Sequence, residues 1–111
     1  MTLLEVATMI DEMNIDFAYR AFEEGTAQEP PFICYMYNGN TPEPADNTNY
    51  VKIEQLAIEL YTDNKDFALE QQVEDVLTSH DLVFSREETW LDDEKMQMTT
   101  YLMEVQIDGT E

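Results

Sequence analysis

The order of hydrophobic periodicities predicts an α+β domain. A mainly antiparallel β-sheet carries two helices packed on it, in the order α-β-β-β-α-β-β with a long C-terminal hairpin. Three observations predict this. Residues 2–13 and 65–79 repeat their apolar positions at spacings of three and four, the helical period. The remaining patterned windows alternate or are rich in β-branched and aromatic residues. The last two of them are separated only by the tight acidic turn Asp92-Asp93-Glu94. At 111 residues and 13.0 kDa the chain is sized for one domain, 1–111, with no internal repeat or dividing linker.

The first helix carries Leu3, Leu4, Val6, Ala7, Met9, Ile10 and Met13 on one stripe, with Glu5, Asp11 and Glu12 outside and Thr2 as its N-cap. Residues 15–22 alternate well enough for a short strand. Glu23-Glu24-Gly25-Thr26 and Pro30-Pro31 mark a turn or loop. Phe32–Tyr37 is an apolar and aromatic run with Phe32, Cys34 and Met36 on one face and Ile33, Tyr35 and Tyr37 on the other. Such a run suits a strand covered on both faces. Asn38–Asn49, with Gly39, Pro42 and Pro44 among Asn, Thr and Asp, reads as a long polar loop.

Residues 50–61 form the next strand, and the apolar parity slip between Ile53 and Leu56 predicts a bulge near Glu54-Gln55. Thr62-Asp63-Asn64 is a helix-start cluster. The helix it opens buries Leu69, Val73, Val76, Leu77 and His80, and turns Glu70, Gln71, Glu74 and Asp75 outward. Strands at about 82–91 and 95–107 complete the order. The last strand points Tyr101, Met103, Val105 and Ile107 inward, with a second parity slip near Thr99-Thr100.

Charge bounds the function. Twenty-five acidic residues against five basic ones give a net charge of −20. Too few cations are available to neutralise nucleic-acid phosphates or to dock on an anionic membrane. High charge favours disorder, but Leu, Ile, Val and Phe together exceed the ~20% below which chains fail to build a core, so a modest core is expected. Met1-Thr2-Leu3-Leu4-Glu5 lacks a signal-peptide pattern, and no apolar stretch reaches membrane-span length. With Cys34 as the only cysteine, the expectation is a soluble protein made in a reducing cytoplasm.

The residues offer little to catalysis. His80 is the only histidine and sits at a helix C-terminus, where interaction with the dipole is the ordinary role. Cys34 lies mid-strand among apolar neighbours and reads as a small buried hydrophobe. The EF-hand order and a glycine-rich phosphate loop are both absent. Arg86 and Trp90 share strand parity, with Trp90 expected in the core. Most of the seven Met are expected there too. No enzyme activity, cofactor or metal is expected.

From Tyr50 to Ile107 the sequence resembles the small tail-terminator (tail completion) proteins of long-tailed bacteriophages. The resemblance is carried by VKIEQLAIELYTDNKDFALEQQVEDVL and then LVFSREETWLDDEKMQMTTYLMEVQI. A strand ending in Leu60-Tyr61-Thr62-Asp63 with Lys65 leads into a helix, then a strand enters a final hairpin whose last strand alternates aromatic and aliphatic residues. The chain is more acidic than that family's pattern. The resemblance implies a structural virion protein in the tail or neck, assembled in the host cytoplasm. Its partners would be itself as a homo-hexameric ring, the tail tube protein and the head-tail connector protein, with DNA passing through the ring without specific binding. No catalytic residue is implied. Asn40, Thr41, Glu43 and Asp46 of the polar loop, with Asp92, Asp93 and Glu94 of the hairpin tip, are the candidate subunit or tube contacts. The charge also fits an acidic mimic of DNA that blocks a nucleic-acid-binding protein. Another neck or minor tail protein of related fold shares the same pattern.

Overall fold

The computed structural model describes residues 1–22, 28–42 and 52–108. Its elements run α1 (Leu3–Asp11), β1 (Phe17–Tyr19), β2 (Phe32–Pro42), β3 (Lys52–Thr62), α2 (Phe67–Ser79), β4 (Ser85–Leu91) and β5 (Met96–Ile107), the predicted α+β order. The five strands form one sheet in the order β1-β2-β3-β5-β4. β1 pairs parallel with β2, and every other pairing is antiparallel.

α1 starts where the sequence places it. The Glu5 amide donates to Thr2 Oγ1 at 3.0 Å while the Thr2 amide donates to Glu5 Oε1 at 2.9 Å, a reciprocal capping box. Val6, Met9, Ile10 and Met13 are fully buried, whereas Leu3 and Leu4 stand exposed on the first turn. α2 begins at Asp66, whose carboxylate accepts from the Leu69 amide at 3.0 Å, so the cap lies just past the predicted Thr62–Asn64 cluster. It ends with the Leu82 amide donating to the Leu77 carbonyl and the Asp81 amide to that of Thr78. This double closure places Asp81 in the left-handed region that glycine usually fills.

Alternation along the strands decides the layers. Ile33 and Tyr35 of β2, Leu56, Ile58 and Leu60 of β3, and Tyr101, Met103 and Val105 of β5 share one face. They join Val6, Met9, Ile10, Met13, Val73 and Leu77 in a single core, so both helices lie on that face. Cys34 is buried mid-strand, and its thiol pKa is raised by desolvation and by the nearby Glu59 carboxylate.

Three expectations change. β2 does not stop at Tyr37 but pairs on through Asn40, Thr41 and Pro42 with Glu54, Ile53 and Lys52. The predicted bulge falls at the predicted level but on the neighbouring strand: Asn38 and Gly39 together oppose Gln55. Gly39 has φ +121°, which only glycine adopts without strain, so the bulge sits where the backbone permits it. β3 itself keeps unbroken register with β5 from Lys52↔Ile107 to Thr62↔Gln97, and Ile53 simply faces the opposite side from Leu56. β5 has no slip either. Thr99 points inward with Tyr101, and it read as a slip because an inward position carries a hydroxyl.

Candidate assembly surface

The least expected feature lies under α2. Spacings of three and seven put Glu70 on the same helix face as Val73 and Leu77, and it is 2% exposed rather than facing outward. Its carboxylate reaches the sheet at the level of β4 and β5. Oε1 accepts from Lys65 Nζ at 2.8 Å and lies 3.5 Å from Arg86 Nη1, and Oε2 accepts from Thr99 Oγ1 at 3.2 Å. One turn later, Glu74 accepts from Arg86 Nη1 at 2.8 Å and from the Tyr101 hydroxyl at 2.9 Å. Lys65 also reaches Glu88 at 2.6 Å. Buried carboxylates need such partners because an unpaired charge in a low-dielectric interior costs several kcal/mol, roughly.

This clasp joins the loop before α2, the helix and the outer strand β4. Its hydrogen bonds shift the pKa values of Lys65 and Glu88 in the direction that keeps each charged. Lys65 is raised, first by its bond to Glu70 and then by Glu88, and Glu88 is lowered, first by Lys65. The Tyr101 hydroxyl is raised by desolvation and then by its bond to Glu74, so it stays protonated as a donor.

Beyond the clasp, β4 is exposed along nearly its whole length, and no described strand pairs with its outer edge. Trp90, expected in the core, is 49% exposed, because the outermost strand extends past the layer that α2 covers. Arg86 is held by Glu74 and Glu70 and not by Trp90. An open edge of seven residues is a ready template for strand addition unless it is charged or covered. Glu87 and Glu88 supply such charges here.

The described members of the predicted contact set fall in two places. Asn40 and Thr41 belong to β2, at the end of the sheet where β5 finishes, and Glu43 and Asp46 lie outside the described residues. Asp92, Asp93 and Glu94 form the exposed turn at the opposite end, with Lys95 in the left-handed region (φ 54°) closing it. Lys95 Nζ stands 3.9 Å from Asp92, a loose and exposed pair. His80 caps α2 and lies with Nε2 2.9 Å from Glu12 Oε1, tying α2 to the end of α1. Among the described residues no group of three or more His, Cys, Asp or Glu is arranged to hold a metal ion, and no helix is long and apolar enough to cross a membrane. Sequence reasoning missed Glu70, although its spacing to Val73 and Leu77 was the available signal.

No protein-family model matches the sequence, and no curated protein matches it. Among solved structures, this chain is similar in fold to a chain from the virion of the native gene transfer agent (GTA) particle. The TM-score is 0.58 at 14% sequence identity, over 96% of this chain and 89% of that one. At that identity the likeness is one of fold.

Proposed function

We propose that the protein is a structural component of a phage-type virion, and within it the ring-forming subunit that ends the tail tube and joins it to the head connector. The observation that carries this reading is a fold shared over nearly the whole chain with a virion chain. Two further features support it. Of the candidate contacts, Asn40 and Thr41 lie at one end of the strands and the Asp92–Glu94 turn at the other, an arrangement compatible with a joint between two different partners. Each subunit brings twenty net negative charges to a ring through which DNA would pass. A negative lumen keeps the duplex off the wall over about one Debye length, ~8 Å at physiological salt. The same charge makes free subunits repel one another, so closure is favoured by salt or by a tube end.

Native mass spectrometry at low and high salt, followed by addition of purified tail tubes, tests the reading. A closed hexamer at high salt, or tubes that stop growing when the protein is added, is the expected outcome. A monomer at both salts that leaves tube growth unaffected would overturn it. If that monomer also bound a DNA-binding enzyme with an affinity that collapses in salt, the DNA-mimic class would take its place.

A further inference from the structure

No described helix or strand covers the face of the sheet opposite the helices, and its residues fall in rows across the strands. Among the described aromatic contacts, only the Phe22 ring packs onto this face from outside the sheet, edge-on against Phe32 at 5.5 Å. Phe32, Tyr61 and Met98 are cross-strand neighbours, with the Phe32 and Tyr61 rings stacked at 4.7 Å. Met36, Ala57 and Leu102 form a second apolar row. Between these rows lies Cys34, Glu59, Thr100 and Glu87, and beyond the second stand Gln55 and Glu104. Phe32, Met36, Tyr61, Met98 and Leu102 are each only half-buried while Ala57 between Met36 and Leu102 is buried, so the flanks of two apolar stripes remain open.

The charges on this face have one sign. Glu59, Glu87 and Glu104 are its ionisable acids, and none has an ion-pair partner among the described residues. None of the five basic residues occupies a strand position here. Lys52 and Arg86 alternate to the helix side, Lys65 serves the clasp, Lys95 sits in the β4–β5 turn, and Arg20 follows β1 over the Tyr19 ring. From this asymmetry we infer that the open sheet face is a docking surface for a protein segment that presents apolar side chains alternating with Lys or Arg.

The apolar rows give such a segment area to bury, and the methionines let the fit adjust. The three carboxylates select its charge. A second copy docked face to face would set Glu59, Glu87 and Glu104 against their own counterparts. Nucleic acid is repelled outright. This assignment stands apart from the virion reading, since it rests on the face alone.

The test uses the whole protein with carbon-13-labelled methionine methyls. Two short peptides serve as probes, one alternating Leu with Lys and one alternating Leu with Glu. The Leu–Lys peptide should shift the methyls of Met36, Met96 and Met98 while those of the buried Met9 and Met13 stay in place. Its affinity should fall about tenfold between about 50 mM and about 500 mM salt. Glu87→Lys with Glu104→Lys should weaken it about tenfold more, with an unchanged unfolding transition. Should that double variant not fold, Glu87→Gln with Glu104→Gln reads the same loss at several-fold size. Equal binding of the Leu–Glu peptide overturns the assignment, as do shifts confined to the hairpin tip. Shifts of the same methyls on raising protein concentration alone would identify a second copy as the occupant and also overturn it. Failure of ring closure leaves this result standing, and a null peptide result leaves ring closure standing.

Discussion

At one edge of the sheet β1 is three residues long, and at the other β4 is seven. The short edge is held by aromatic packing. Tyr19 meets Tyr35 edge-on at 5.2 Å and Tyr37 at 6.0 Å, and Phe17 tilts against Tyr35 at 6.1 Å. The long edge has little apolar cover and is held by its ladder to β5 and by the Lys65–Glu70–Arg86–Glu74 clasp beneath it. The difference is one of range and conditions. Aromatic contacts depend on buried area and shape and ignore salt, whereas partly exposed ion pairs weaken as salt rises. A domain with net charge −20 thus places two of its five cations where they fix an exposed strand.

Alkaline pH should break both edges at once and gives the largest expected effect. Burial raises the pKa values of Tyr35, Tyr37 and Tyr101, that of Tyr37 to about 12, and bonding to Glu70 and Glu88 raises that of Lys65. A group with a raised folded-state pKa gives its full stabilisation below the unfolded value of about 10 and loses it as pH rises toward the folded value. Cooperative unfolding should therefore set in above about pH 10, together with phenolate absorbance. Phenolate formed at Tyr35, Tyr37 or Tyr101 well before the fold is lost, over and above that of the exposed Tyr19, would contradict the burial of these rings.

Truncation separates the edges. Tyr35→Ala removes the ring that Phe17, Tyr19 and Tyr37 all contact, and should cost about 3–4 kcal/mol by denaturant unfolding, the same at low and high salt. Glu70→Ala should cost less, about 2–3 kcal/mol, because Lys65 and Arg86 keep Glu88 and Glu74 as partners while Thr99 loses its acceptor. Its effect should concentrate in hydrogen exchange of β4. Glu70→Gln should recover part of the loss through its remaining carbonyl acceptor. If exchange in β4 did not change in Glu70→Ala, the ladder to β5 alone would hold that edge.

Element order was legible because period and alternation are local. Thr2 with Glu5 announced the first helix, and the alternation Tyr101, Met103, Val105 announced the last strand. The errors share a cause. Thr99 and Ile53 looked like parity slips, Glu70 like a solvent-facing acid and Trp90 like a core residue, each judged by its polarity without knowledge of its neighbours. Of the predicted contacts, the turn Asp92–Glu94 is exposed as expected, and Asn40 and Thr41 moved into a strand because Gly39 lets β2 bulge and continue.

The sequence by itself determined the α+β class, the element order and the strong negative charge. It also determined the inward face of α1 beyond its first turn, of α2 apart from Glu70 and of β5 apart from Thr99. β2, read as covered on both faces, carries described elements on only one. Among the described residues, tertiary structure alone decided which acid is buried, which strand lies at the edge, and which sheet face the helices leave uncovered. Periodicity depends on residues within a turn or two of one another. A buried carboxylate is stable only when cations and a hydroxyl from distant strands converge on it, and an edge exists only once every other strand has found its neighbour.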